Sequence, residues 1–204
     1  MIAIIDYGAG NLKSVRHALK ELEIEAFITT NPEELEDASG IILPGVGAFG
    51  EAIEQLEHMG FIEVIKDQVD RGKPLLGICL GMQLLFDKSF EYGKHKGLGL
   101  IPGDIVRFES SVKVPHIGWN QLEVTETYID DLINENIMPL DYVYFVHSYF
   151  ANPHDQQDIL FQTEYGQTFP SAVKRDHVIG MQFHPEKSGR VGKQLLLNFG
   201  EMTK

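Results

Sequence analysis

Short apolar runs and helical stripes alternate through the first half of the chain. Ile2 to Ile5 is an apolar run the length of a buried strand, and Leu12, Val15, Leu19 and Leu22 then recur at helical spacing. Ala26 to Thr30 reads as a second strand. Asn31-Pro32-Glu33-Glu34 offers an N-cap, a proline at the first helical position and acidic first-turn residues. Ile41 to Leu43 is a third strand, stopped by Pro44-Gly45, and a helical pattern returns from about Gly50 to Val69. Pro74 to Ile78 is a fourth apolar strand, with a helix over Leu80 to Asp87. This alternation predicts a parallel sheet covered on both faces.

From about Gly97 the pattern changes to short β-rich segments: Ile105 to Phe108, Gln121 to Thr125, Tyr142 to Phe150, Ile159 to Tyr165, Ala172 to Lys174 and Val178 to Phe183. Gly166 and Arg175-Asp176-His177 sit where hairpin turns belong, and a helix from about Gly189 to Glu201 closes the chain. The expectation is an α/β fold, a mostly parallel sheet flanked by helices, with additional antiparallel strands in the C-terminal half. Nothing in the sequence resembles a repeat or a linker, so residues 1–204 are read as one domain.

Composition narrows the function. Thirty acidic residues against 17 Lys and Arg leave a formal net charge of −13, a poor match for a phosphate backbone, so no nucleic-acid partner is expected. The single cysteine, Cys79, cannot form an internal disulfide. The longest uncharged apolar-rich run, Pro74 to Phe86, falls short of the ~18–20 residues a membrane span needs. The N-terminus lacks the basic region of a signal peptide. A cytoplasmic enzyme or binding protein, with no membrane partner, is the class that remains.

Cys79 is where the chemistry concentrates. Gly77-Ile78-Cys79-Leu80-Gly81 follows a predicted strand and precedes a predicted helix, the form of a nucleophile elbow with Cys in place of Ser. Glycines two before and two after leave room for a sharp turn. The following helix aims free N–H groups and the positive end of its dipole at the sulfur, a setting that suits a reactive thiolate. The N–H of Leu80 can receive a developing oxyanion. A lone cysteine in an apolar run is ordinarily a small buried hydrophobe; the glycine frame is what argues otherwise.

His184-Pro185-Glu186 follows the strand over Val178 to Phe183. Residues two apart on an extended segment share a side, so Glu186 can hold one imidazole nitrogen of His184 while the other faces the thiol. The plain alternative is a surface turn in which Glu186 is a first-turn acid of the last helix. Leu43 to Gly50 carries three glycines at the end of a strand, and a Val46 or Gly47 N–H is the candidate second oxyanion donor. The spacing is not that of a P-loop, and Lys13 stands where a dinucleotide fingerprint after Gly8 and Gly10 needs its third glycine. Histidine spacing offers no metal site, so no metal and no cofactor are expected.

Taken together, Pro44-Gly45-Val46-Gly47, Gly77-Ile78-Cys79-Leu80-Gly81-Met82-Gln83 and His184-Pro185-Glu186-Lys187-Ser188 resemble the class I, triad-type glutamine amidotransferases. Asp6-Tyr7-Gly8-Ala9-Gly10-Asn11, Pro115-His116-Ile117-Gly118-Trp119-Asn120 and Tyr144-Phe145-Val146-His147-Ser148-Tyr149 are similar to the glutaminase subunits of imidazole glycerol phosphate synthases. The resemblance runs the length of the chain. It implies glutamine as substrate, Cys79 as nucleophile, His184 as proton shuttle and Glu186 as its orienting acid. It also implies that Gln83 and the backbone at Ser148 and Tyr149 hold the amino-acid end of glutamine. It implies a (β/α)₈-barrel cyclase as partner, met by Asn11, Trp119, Asn120, Tyr144 and Lys187. A Gly45-Val46-Gly47 loop that adopts its active form only when the partner is occupied also belongs to that implication. A subunit serving anthranilate or pyridoxal phosphate synthesis, a non-catalytic regulator on the same fold and a thiol peptidase are the alternatives.

Overall fold

Alternate residues of the apolar strands face opposite ways, and each face finds its own helices. In a computed structural model, which describes residues 1–109 and 112–204, β1 (Ile2–Ile5) lies between β2 (Ala26–Thr29) and β3 (Gly40–Gly45). Ile2, Ile4, Ile42 and Leu76 pack with Val15 and Leu19 of α1 (Leu12–Glu21) and with Leu195 and Phe199 of α5 (Gly189–Met202). Ala3, Ile5, Ile41 and Leu43 pack on the other face with Leu56 of α2 (Phe49–His58) and with Phe61 and Ile65 of α3 (Phe61–Asp70). A strand buried on both faces reads as an unbroken apolar run, and that is how these segments read.

The main sheet has eight strands in the order β2-β1-β3-β4-β14-β13-β12-β9. β4 (Leu75–Cys79) and β14 (Val178–Met181) extend the parallel half, and β13 (Thr168–Arg175), β12 (Ile159–Glu164) and β9 (Glu123–Val124) follow antiparallel. A second sheet of four strands is ordered β11-β7-β5-β6, from β5 (Phe86–Ser89), β6 (His95–Lys96), β7 (Ile101–Arg107) and β11 (Tyr149–Pro153). β8 (His116–Gln121) and β10 (Tyr142–His147) form an antiparallel pair of their own. The expected α/β class, parallel first and antiparallel later, is the one observed.

Several boundaries differ from expectation. The pattern over 50–69 is two helices, because Gly60 takes φ +77° between α2 and α3. The helix expected over 80–87 ends at Leu84 as α4 (Leu80–Leu84), and Phe86 opens β5. Apolar spacing does not separate the two there, since Leu84, Leu85 and Phe86 are all buried. The strand expected over 142–150 divides at Ser148, where the chain passes from the β8–β10 pair into the four-stranded sheet. Pro32 opens a 3₁₀ turn, capped by the Asn31 side chain accepting from the Glu33 N–H at 3.1 Å.

Among the described residues, no helix is long and apolar enough to cross a membrane.

Candidate active site

Three neighbouring parallel strands deliver the site. Gly45 at the end of β3 sits in register with Cys79 at the end of β4, and Met181 of β14 sits beside Ile78. The residues just past these ends, Val46-Gly47 and Gln182 to Glu186, are therefore brought together at one carboxyl edge, the usual position for a site in such a sheet.

Cys79 is held at φ 55°, ψ −110°, a conformation that costs a non-glycine residue about 1–3 kcal/mol. The glycine frame makes it possible. A Cβ on Gly77 would meet the Gly81 carbonyl oxygen at 2.6 Å, and one on Gly81 would overlap the carbonyl oxygen of Leu43. Gly81→Ala is expected to destabilise the fold by about 3 kcal/mol, because backbone atoms cannot yield as a flexible side chain can; a urea midpoint within error of wild type would refute this.

The cleft beside Cys79 has a volume of about 350 Å³. Val46, Gly47, Leu80, Gln83, Ser148, Tyr149 and His184 all line it with the sulfur. Gly47 takes φ +103° with open space around its Cα, so its backbone conformation, not crowding, demands glycine. Two contacts steady the sulfur: it approaches the Val146 carbonyl oxygen at 3.9 Å, and Gln182 Nε2 approaches it at 4.0 Å.

His184 is buried, and its Nδ1 is 2.9 Å from Glu186 Oε1, itself buried. The pair meets through a turn rather than along a strand. Strand pairing stops at Met181, and Pro185 begins a 3₁₀ turn that folds Glu186 back onto the ring. Nε2 of His184 has no hydrogen bond of ordinary geometry among the described residues and faces Cys79. Burial pulls the imidazole pKa down, but its coupling to Cys79 and the bond and charge of Glu186 win, raising it to about 9. The sign for stability follows. Protonated His184 stabilises the fold fully below pH 6.5, the ordinary histidine value, and that contribution is lost as pH rises through about 9. Wild type is expected to lose unfolding free energy across this window while His184→Gln stays flatter; parallel urea curves for the two would refute this.

Other residues serve the site without having been legible as parts of it. Tyr7, buried just past β1, donates to the Pro44 carbonyl oxygen at 2.9 Å and so holds the strand that carries Val46. Burial, and then the charge at Cys79, push its hydroxyl pKa up, so it remains a donor. Glu91 also lines the cleft and accepts from the Phe49 N–H at 2.6 Å at the start of α2. Ser188 accepts from the Tyr144 N–H at 3.0 Å and donates to the His184 carbonyl oxygen at 2.6 Å, while the His184 N–H donates to the Tyr144 carbonyl oxygen at 3.0 Å. The turn that carries His184 and Glu186 is thereby pinned to β10. These partners lie more than 35 positions apart in sequence, except the Ser188–His184 bond, and no local pattern announces them.

Residues 3–202 match the family model described as "Glutamine amidotransferase class-I". The chain belongs to the class I glutamine amidotransferase family. Its relatives include the "Imidazole glycerol phosphate synthase subunit HisH" of Carboxydothermus hydrogenoformans, 48% identical over 99% of this chain and 100% of the relative. The protein of the same name from Caldanaerobacter subterraneus subsp. tengcongensis is 49% identical over 100% of this chain and 99% of its own. Among solved structures, "Crystal structure of glutamine amidotransferase" superposes with TM-score 0.78 at 21% identity, covering 100% and 99% of the two chains. "Structure of PurLQS from Thermotoga maritima" gives 0.77 at 21%, covering 100% and 98%. Those two likenesses concern the fold of the amidotransferase domain.

The residues expected at a partner surface lie near the same edge. Trp119 is exposed, Asn120 and Tyr144 are half-buried, Lys187 is exposed in the turn after His184, and Asn11 stands at the N-terminal boundary of α1. Trp119 and Tyr144 pair across β8 and β10, ring centroids 6.1 Å apart. Among the described residues, no group of His, Cys, Asp and Glu is arranged to hold a metal ion.

Proposed function

We propose that this amidotransferase is the glutaminase subunit of an imidazole glycerol phosphate synthase, a cytoplasmic biosynthetic enzyme, hydrolysing glutamine and passing ammonia to a (β/α)₈-barrel cyclase. The observation that carries the reading is the meeting of Cys79 and His184 at one cleft, with Glu186 on the far nitrogen of the imidazole. The end-to-end likeness to relatives that bear the synthase subunit's name selects this reaction among amidotransferase reactions.

The chemistry follows from the geometry. The Cys79 thiolate attacks the side-chain amide carbon of glutamine. The oxyanion is received by the N–H of Leu80 and by an N–H of the Val46-Gly47 segment. Imidazolium His184 passes its Nε2 proton to the departing nitrogen, the C–N bond breaks, and ammonia leaves a glutamyl thioester on Cys79. His184 then takes a proton from water, whose oxygen attacks the thioester, and glutamate and the thiol are released. Glu186 on Nδ1 keeps Nε2 as the working nitrogen throughout.

The amino-acid end needs an acceptor for the ammonium. Gln83 Nε2 donates to the Tyr149 carbonyl oxygen and to Gln182 Oε1, both at 3.0 Å, so its hydrogens are spent and only its Oε1 can serve the substrate. Glu91 supplies a carboxylate on the same wall. Ser148 and the Tyr149 backbone complete the grip.

The apolar outer face of β8 and β10, with Ile117, Trp119 and Tyr142 exposed, is the surface for the cyclase, joined by Asn11 and Lys187; Asn120 shares the strand but turns its side chain to the opposite face, onto Glu164 and His116. Val146, whose carbonyl touches the sulfur, belongs to that same face, so docking bears directly on the cleft. Gly47 gives the Val46 peptide freedom to turn its N–H inward when the partner is occupied. The test is ammonia transfer. With a barrel cyclase and its substrate, glutamine turnover should rise and feed product formation. An anthranilate or pyridoxal phosphate synthase partner that accepted the ammonia instead would overturn the assignment.

A further inference from the structure

Two buried histidines beside the cleft have no part in the mechanism above. His147 lines the cleft, yet both its ring nitrogens are occupied: Nδ1 lies 2.8 Å from the Tyr149 carbonyl oxygen and Nε2 lies 3.1 Å from Nδ1 of His116. His116 Nε2 in turn lies 3.4 Å from Asn120 Nδ2. The His116 ring is stacked between Phe145 and Tyr165, with centroids at 4.8 and 4.0 Å.

The two ends of this chain fix every proton in it. At the outer end, the Gln121 N–H can only donate, and it meets Asn120 Oδ1 at 2.8 Å; the Glu164 carbonyl can only accept, and it meets Nδ2 at 2.9 Å. The Asn120 amide is therefore oriented without ambiguity and offers its second N–H to His116 Nε2. At the inner end the Tyr149 carbonyl can only accept, so His147 carries its proton on Nδ1. His147 Nε2 is then an acceptor and His116 Nδ1 a donor, in agreement with the outer end. Burial holds both rings neutral: it lowers the pKa of His116 to about 4 and that of His147 to about 3, where the bond to Tyr149 partly opposes burial and the charge of nearby His184 adds to it.

The receiving carbonyl is the one that also takes the Gln83 amide, and it follows Ser148, where the chain changes sheets. Fixing this peptide fixes one wall of the cleft. We propose that His116 and His147 are positioning residues: a relay of single polarity, running from Asn120 through both rings to the Tyr149 carbonyl, holds the Ser148–Tyr149 wall in its glutamine-binding position. The relay begins at Asn120, in the strand that carries Trp119 but on its opposite face, and ends in the substrate cleft. The inference rests on the glutaminase reading for its consequence in turnover, but not for the proton positions.

The test has two independent readouts. In the full chain with ¹⁵N-labelled histidine, ring nitrogen shifts should give both residues as neutral Nδ1–H tautomers at pH 7, and Asn120→Asp should move His116 to Nε2–H. An Nε2–H tautomer on either ring of the wild type would overturn the relay. In the complex with the cyclase, His116→Phe keeps the stacked ring but removes the donor. It should raise the KM for glutamine about tenfold with kcat within about twofold, and His116→Asn, whose amide nitrogen replaces Nδ1, should recover most of the loss. An unchanged KM in His116→Phe, or a His116→Asn variant no better than it, would reduce the pair to packing. Should His116→Phe fail to fold, Asn120→Asp is expected to raise KM about threefold, and an unchanged value would count equally against the relay. Wild-type complex without glutaminase activity would refute the function assigned above while leaving the tautomers to be read.

Discussion

Cys79→Ala is expected to abolish glutamine-dependent synthesis in the assembled enzyme, by a factor of at least about 10³, while synthesis from added ammonia continues. The split arises because the thiol has one task. It forms and releases the thioester, and nothing downstream of ammonia uses it. The substitution removes a small group from a position that is strained for any side chain, φ 55°, and leaves both glycines of the frame in place. The sheet edge should survive it. Parallel steady-state assays with glutamine and with ammonium salts measure both halves. Loss of both would mean that Cys79 supports the fold or the docked complex instead of the chemistry, and retention of glutamine turnover would remove it from the mechanism.

Glu186→Gln is expected to lower the glutaminase kcat/KM by about 10³–10⁴ with little change in stability, since the geometry is kept and only the proton is misplaced. An amide can offer its N–H to His184 Nδ1, which then becomes an acceptor and puts the ring proton on Nε2 in the neutral state. The catalytic nitrogen would lose its role as a base. The substitution also removes the anion that, with Cys79, raises the His184 pKa to about 9 against the cost of burial. Residual activity should therefore fail at lower pH on the alkaline side than in wild type. A pH–rate profile of the two proteins decides this, and a drop below tenfold with an unmoved alkaline limb would show that Glu186 serves the turn and not the imidazole.

What the sequence disclosed follows from the range of the interactions involved. The Cys79 elbow was legible because its requirement is local: Gly77 and Gly81 lie within two residues of the cysteine, and their steric demand writes itself into the motif. The strands β1, β3 and β4 were legible because burial on both faces demands apolar residues throughout. His184 and Glu186 meet through a turn begun by Pro185 rather than along the extended segment that their spacing suggests. The break at Ser148 was not legible. No glycine or proline marks it, and only the division of strands between two sheets reveals it. For the same reason the contacts of Tyr7, Glu91 and Ser188 are not readable from sequence, since each acts on a group supplied by a distant strand or helix. The helix over 80–87 was extended too far because an uninterrupted apolar run satisfies both a buried helix end and the start of a strand.

The account stands on Cys79 and His184 working as one unit on glutamine. Acid-quenching the cyclase complex during turnover, followed by peptide mass spectrometry, addresses that most directly. A glutamyl adduct on the peptide bearing Cys79, absent from Cys79→Ala and cleared when glutamine is exhausted, is the result predicted. Sustained glutamine hydrolysis with no adduct on that peptide, or with the adduct on another residue, would contradict it.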